Sequence, residues 1–420
     1  MSLVPNDSLA VVRYTGCGHI PEQSSLHAQR RSQQAENRYL HTYKALHLGG
    51  KDTAESRLIR SVFICATHSE NETAERIFKY NKVTSYLSRL TNEQLSKLLT
   101  NAHFLSRGIG GDVVSMHVEG VPLIAKKIRL TAIEQQHPGS TRNLFELPPY
   151  YQYGVGSMGF GAWRELAAHE MTTQWVLNGE CHNFPLMYHA RVMQRAAPSP
   201  IQTAAASEER RRDVEYWDGS VAVGQRLAAA DTASADVIVF MEHLSQTLHK
   251  WVRITSSEGS LTERVITKLE RELTMVAAFM KSRGFLHFDA HFHNLMASNN
   301  HVYFADFGLA TSRRFDLSAQ ERAFFEQHRD YDCYYIVAEL AKRMIATATV
   351  PEEQQALLDT YLSTRHVITR LPPAVASIAQ RYRSIASLMN TFFQRLRTRS
   401  KGTPYPTDAL EHEWAKIQIR

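Results

Sequence analysis

Apolar residues recur at spacings of three and four along residues 74–102, at Ile77, Tyr80, Val83, Tyr86, Leu87, Leu90, Leu95 and Leu98. That rhythm predicts an amphipathic helix, a break at Thr91-Asn92 and a second short helix. From residue 104 the texture changes. The stretch FLSRGIGGDVVSMHVEGVPLIAKKIRL is rich in Val, Ile and Leu and is cut by glycines and a proline, which predicts strand, glycine turn, strand, a turn at Glu119-Gly120, and strand. GAWRELAAHEMTTQWVLNG predicts a helix ended by Asn178-Gly179. Residues 190–235, dominated by small and charged side chains, read as a surface insertion ahead of the strand VIVFM. Farther on, Val265, Leu269, Leu273, Val276 and Met280 form one apolar stripe, and Gly284 stops that helix. HFDAHFHNLM and HVYFADFGLA flank an Asn299-Asn300 turn, and a helical pattern returns beyond residue 315.

Composition narrows the class without naming the chemistry. A chain of 420 residues with 43% hydrophobic positions can bury sizeable cores, which excludes a disordered chain or a small disulfide scaffold. The 48 Lys and Arg against 42 Asp and Glu leave a mild +6, and Arg210–Arg212 directly follow Glu208 and Glu209, so no nucleic-acid partner is expected. Cys17, Cys65, Cys181 and Cys333 lie far apart with no CxxC spacing, which argues for a reducing compartment. The first residues lack the basic-then-apolar order of a signal peptide, and no apolar run is long enough for a membrane span. A cytoplasmic protein is the expectation.

The densest chemistry lies in His287-Phe288-Asp289-Ala290-His291-Phe292-His293-Asn294, followed after the turn by Asp306-Phe307-Gly308. Phosphoryl transfer needs a carboxylate to orient the attacking hydroxyl and oxygen ligands for Mg²⁺ on the nucleotide phosphates. Asp289, Asn294 and Asp306 supply those groups. The pattern H-x-D-x4-N plus DFG resembles the catalytic machinery of the protein-kinase-like superfamily.

That resemblance implies an α/β (α+β) bilobal fold with an amino-terminal helical extension over residues 1–100. An N-lobe would span 101–241, with insertions at 131–160 and 190–235, and a C-lobe with extra helices would span 242–420. It also implies ATP and Mg²⁺ as cofactors. IAKKIRL is similar to the third strand of cyclin-dependent kinases, making Lys126 the phosphate-binding lysine and Lys127 the fallback. Gly108, Gly110 and Gly111 form the turn whose backbone would approach the phosphates. Of Glu165 and Glu170, which lie on different helix faces, Glu170 is taken as the partner of Lys126. VFMEHL is similar to the adenine-binding hinge, with Met241, Glu242 and Leu244 as contacts. Asp289 would orient the acceptor hydroxyl, Asn294 and Asp306 would hold the metal, and His287 would be structural.

Departures from the family pattern refine this reading. Phe288 stands where many protein kinases carry an arginine that meets an activation-segment phosphate, which argues against that switch. His291 replaces a lysine near the γ-phosphate. Asp330 or Asp332 is expected to brace the loop, and Thr311 and Ser312 are weighed as phosphorylation sites but read more simply as loop residues. The short run after Gly308 lacks A-P-E. The apolar NLFELPPYYQYGVGSMGFGAW is expected to pack on the lobe or wall the substrate, and with STRNLFELP and GFGAWREL it resembles bacterial Ser/Thr-kinase-like proteins of actinomycete and Legionella type. The acceptor, a protein or a small-molecule hydroxyl, stays open. Two alternatives are carried: a metal-dependent hydrolase built on the 287–293 cluster, and a nucleotide-binding scaffold without catalysis.

Overall fold

The computed structural model describes residues 70–195, 200–349, 351–363 and 371–418. The expectations for residues 1–69, including Cys17 and Cys65, lie outside these. The described residues all fall in one unit, 59–420.

Helices α1 (Glu70–Arg89) and α2 (Asn92–Thr100) follow the predicted rhythm, and the break is a capping box in which Thr91 and Gln94 satisfy each other's backbone amides. Three strands follow: β1 (His103–Gly108), β2 (Gly111–Val118) and β3 (Val121–Leu130). After a short helix α3 (Ala132–Gln136), an irregular segment leads to α4 (Ala162–Leu177), and β4 (Met187–Gln194) comes next. Two helices, α5 (Pro200–Tyr216) and α6 (Val221–Asp231), precede β5 (Ala235–Glu242). The five strands form one antiparallel sheet in the order β1-β2-β3-β5-β4. In β5 every residue but Glu242 is buried, as expected of a strand covered on both faces.

The rest of the chain is mainly helical around small sheets. It runs through β6 (Gln246–Thr247), α7 (Leu248–Ser257), α8 (Glu263–Ser282), β7 (Phe285–Leu286), β8 (Leu295–Ser298), β9 (His301–Phe304) and β10 (Thr311–Ser312). Helices α9 (Ala319–Gln327), α10 (Tyr331–Thr347), α11 (Pro351–Ser363), α12 (Pro373–Thr398) and α13 (Thr407–Gln418) complete it. The protein is thus a mixed helix-and-sheet structure. Gly284, at φ 62°, ends α8, and Asn299 and Asn300 turn the β8–β9 hairpin at φ 49° and 62°, as read from the sequence. No described helix is long and apolar enough to cross a membrane.

One expectation needs correction. The stretch 190–235 is not merely a surface insertion. Arg226 of α6 is buried against Glu134 at 3.3 Å, and Trp217, Val223 and Ala230 are core residues. Its small side chains let α6 pack closely, so the composition of a loop concealed a helix.

Candidate functional site

Lys126 sits on β3, paired across to Val113 and Val239, so its ammonium projects from the middle of the sheet. It bonds two carboxylates at once, Glu165 Oε1 at 2.6 Å and Asp306 Oδ1 at 2.7 Å. Burial works against the lysine's charge, but these two anions outweigh it and raise its pKa. Burial likewise pushes the Asp306 carboxyl up, and the charge and hydrogen bond of Lys126 overcome that and bring it down to about 2. Glu165 goes the other way: deep burial raises it despite Lys126.

The pairing corrects the choice of Glu170, which is exposed on another face of α4. The helix is buried around most of its circumference, at Ala162 through Leu166 and again at Ala168, His169, Thr172, Thr173, Trp175 and Val176. Apolar rhythm therefore gave no face to choose. With Glu165 as the partner, the residue four positions on is His169. It is buried, its two ring nitrogens have no hydrogen-bond partner, and its ring meets Phe307 edge-on at 4.8 Å. Burial drives the His169 pKa down to about 3. Phe307 in turn lies 5.4 Å from His287, which makes a column of three rings.

The loop from 287 to 294 is held from below by Asp332, whose carboxylate accepts the amides of His287 at 2.7 Å and Phe288 at 3.1 Å. Of the two bracing candidates this selects Asp332, since Asp330 pairs with Lys281 instead. Burial pushes Asp332 up to about 7 against those two amide bonds. Phe288 and Asp306 both adopt left-handed backbone, at φ 62° and 60°, a conformation that costs a non-glycine residue roughly 1–3 kcal/mol. Aromatic packing holds Phe288: Phe324 stacks on it at 5.7 Å, and the tilted rings of Tyr331 and His328 lie at 4.6 and 5.7 Å.

Asp289 receives Asn294 Nδ2 at 2.8 Å on Oδ2, while its Oδ1 is buried without a hydrogen-bond partner. Burial raises its pKa to about 6, with His291 pulling it down and Asp306 pushing it up. His291 Nε2 lies 3.7 Å from Asp289 Oδ1, beside the carboxylate. The β1–β2 turn comes over Lys126: a methyl group on Gly110 would sit 3.1 Å from Nζ. Gly108 and Gly111 face each other across that turn. Lys126, the glycine turn, Asp306, Asp289, Asn294 and His291 therefore share one locality.

The remaining assignments divide. Met241 packs with Trp163 and Leu166 on the α4 side of the sheet, and Leu244 is buried. The Glu242 amide donates to the Leu186 carbonyl at 2.9 Å, so that N–H is spent inside the protein. Its carboxylate is clamped by Arg76 of α1 at 2.9 and 2.8 Å. No sequence pattern had marked Arg76. Thr311 and Ser312 are buried, which removes their hydroxyls from easy modification.

The histidines of the 287–293 stretch diverge. His287 accepts the Asp289 amide on Nδ1 and sets Nε2 against the Ala305 carbonyl at 2.9 Å, and His293 stacks on His249 at 4.1 Å. Among the described residues no group of three or more His, Cys, Asp or Glu is arranged to hold a metal ion. Mg²⁺ asks for less, since it is commonly held by one or two protein oxygens together with substrate phosphates. Asp306 and Asn294 fit that demand: the Asp306 side chain is 46% exposed even while bound to Lys126, and the Asn294 bonds to Asp289 use only its amide nitrogen.

The segment before α4 completes the site. Leu147, Tyr151, Tyr153, Val155 and Phe160 are buried, which contributes on the order of 10 kcal/mol at ~1.5–3 kcal/mol per large apolar side chain. Tyr153 Oη meets His328 Nε2 at 2.6 Å, Tyr216 Oη donates to the Val155 carbonyl at 2.8 Å, and Gln152 donates to the Leu309 carbonyl. A side chain on Gly154 would collide with Asp289 Oδ1, and one on Gly159, at φ 78°, with the Gly308 carbonyl. No protein-family model matches the chain, and no curated protein matches it significantly.

Proposed function

We propose that this protein is a bilobal, protein-kinase-like phosphotransferase that moves the γ-phosphoryl group of ATP to a hydroxyl. The observation that carries the reading is Lys126 bonded at once to Glu165 and Asp306, beside the Asp289–Asn294 pair. A charge-fixed lysine, a half-exposed carboxylate and a second carboxylate held in place by Asn294 are what positioning and charge stabilisation require. In this reading the sheet and the glycine turn cover the nucleotide, and Lys126, held by Glu165, binds its α- and β-phosphates. The Asp289 carboxylate orients the acceptor hydroxyl and takes its proton. Asp306 and Asn294 hold Mg²⁺, which when bound neutralises charge on the phosphate oxygens. Burial supports the role of Asp289, because a carboxyl raised to about 6 is a stronger base than an exposed aspartate.

Incubation with γ-labelled and α-labelled ATP tests the reading, alongside thermal melting with ATP in the presence and absence of Mg²⁺. The expected result is an ATP- and Mg²⁺-dependent rise in melting temperature and movement of the γ label alone. Movement of the α label would mean nucleotidyl transfer. Binding without any transfer would mean a nucleotide-binding scaffold.

A further inference from the structure

The segment 147–161 lies against both halves of the site, with Gly154 on Asp289 and Gly159 on Gly308. It belongs to the core, since Tyr151, Gln152, Tyr153, Val155 and Phe160 are all buried and its polar groups bond to three separate parts of the chain. A displaceable plug would be held by a few exposed contacts. This one is a wall. A polypeptide acceptor has to lay extended backbone past the carboxylate that receives its hydroxyl proton, and on this flank of Asp289 that space holds the main chain of Gly154. Oδ1 of Asp289 is buried, so the 20% exposure its side chain keeps lies on its other atoms, and an acceptor reaches the carboxylate there, beside His291, whose side chain is 31% exposed.

We infer that the acceptor is a compact small-molecule hydroxyl compound, admitted to Asp289 from the His291 side, with the backbone of Gly154 as the element that shuts out polypeptides. The inference rests on the phosphotransferase reading. In the step itself the acceptor oxygen bonds to the γ-phosphorus as the bond from that phosphorus to the β–γ bridging oxygen breaks. ADP leaves with the electron pair of that bond, and the hydroxyl proton passes to Asp289.

The test uses the full chain with γ-labelled ATP and Mg²⁺, offered water, glycerol or dephosphorylated casein, together with hydrogen exchange of residues 149–161. Label in inorganic phosphate or glycerol but not in casein is expected, as is exchange of residues 149–161 as slow as that of α10. Gly154→Ala should leave the ATP-induced melting shift intact and cut transfer at least tenfold, because its methyl displaces Asp289. Labelled casein, exchange of 149–161 a hundredfold faster than that of α10, or unchanged transfer in Gly154→Ala each overturns the inference, whereas ATP that binds but never loses its label fails the phosphotransferase reading. A chain showing no melting shift with ATP fails the phosphotransferase reading itself, and the exchange data then still report whether the wall is fixed.

Discussion

Arg164 and Glu165 are neighbours on α4, both buried, and each makes an ion pair at 2.6 Å, yet the two pairs are built for different ends. Glu165 meets Lys126, whose second partner, Asp306, is 46% exposed. Arg164 meets Glu321, and both ends are closed, at 4% and 9%. The Arg164 guanidinium also donates to the Thr141 carbonyl at 2.6 Å, and Glu321 accepts the Ser318 amide at 2.9 Å. A closed pair fixes geometry, whereas a pair with an open member can trade partners for a ligand. One helix turn thus carries a brace on one side and an exchangeable site on the other.

The sharpest way to separate the two is to remove charge at the exchangeable side. Asp289→Asn and Asp306→Asn are each expected to lower transfer by roughly a thousandfold or more. Asp289→Asn should leave the melting temperature level or slightly higher, since it removes a carboxyl that burial and Asp306 disfavour as an anion. Initial rates and calorimetry on the same preparation decide it; full activity in a folded Asp289→Asn variant would contradict the assigned role.

On the brace side the loss should appear in stability. Arg164→Met leaves Glu321 buried without its cation, which costs about 3–5 kcal/mol, and adding Glu321→Met should recover most of it. Denaturant titration of the single and double variants measures both. A single variant no less stable than the parent would mean that the pair is not a brace.

The aromatic cluster adds a pH signature to the brace. Burial brings the His328 pKa down to about 4 from an unfolded value near 6.5. Between those values the unfolded chain takes a proton that the folded chain refuses, so this contribution is full above pH 6.5 and is lost as pH falls towards 4. One such group gives a slope of about 1.4 kcal/mol per pH unit within that window. His328→Phe should flatten the stability–pH curve by that one proton whatever it does to stability at neutral pH. An unchanged slope would place the titration elsewhere.

What the sequence made legible follows the same division. Local signals fixed β1 to β3, α8 and its Gly284 stop, and the loop from His287 to Asn294, because strand alternation, capping and turn residues act over a few positions. The choice between Glu165 and Glu170 failed because α4 is buried on nearly every face, so no stripe marks the side that meets Lys126. Arg76 and the Arg164–Glu321 brace were invisible for another reason. They join residues 166 and 157 positions apart, and an arginine in a helix looks the same whether it ends in solvent or in the core. The wall at 147–161 announced itself only as unusual apolarity, and its contact with Asp289 runs through a glycine, which has no side chain to signal it.

The smallest expected effect lies behind the cleft. His169 occupies the position where an apolar side chain would complete the ring column with Phe307 and His287. It is buried with two unpartnered ring nitrogens, and both burial and the charge of Lys126 disfavour its protonation. A buried polar group without partners costs about 1–3 kcal/mol, and an apolar replacement of similar size removes that cost. His169→Leu is therefore expected to stabilise the fold by about 1–2 kcal/mol while leaving the Lys126–Glu165 bond and transfer within a few-fold of the parent. If it instead destabilises the protein or abolishes transfer, the imidazole has a polar partner in solution, and the column belongs with the exchangeable side of α4 rather than with its scaffold.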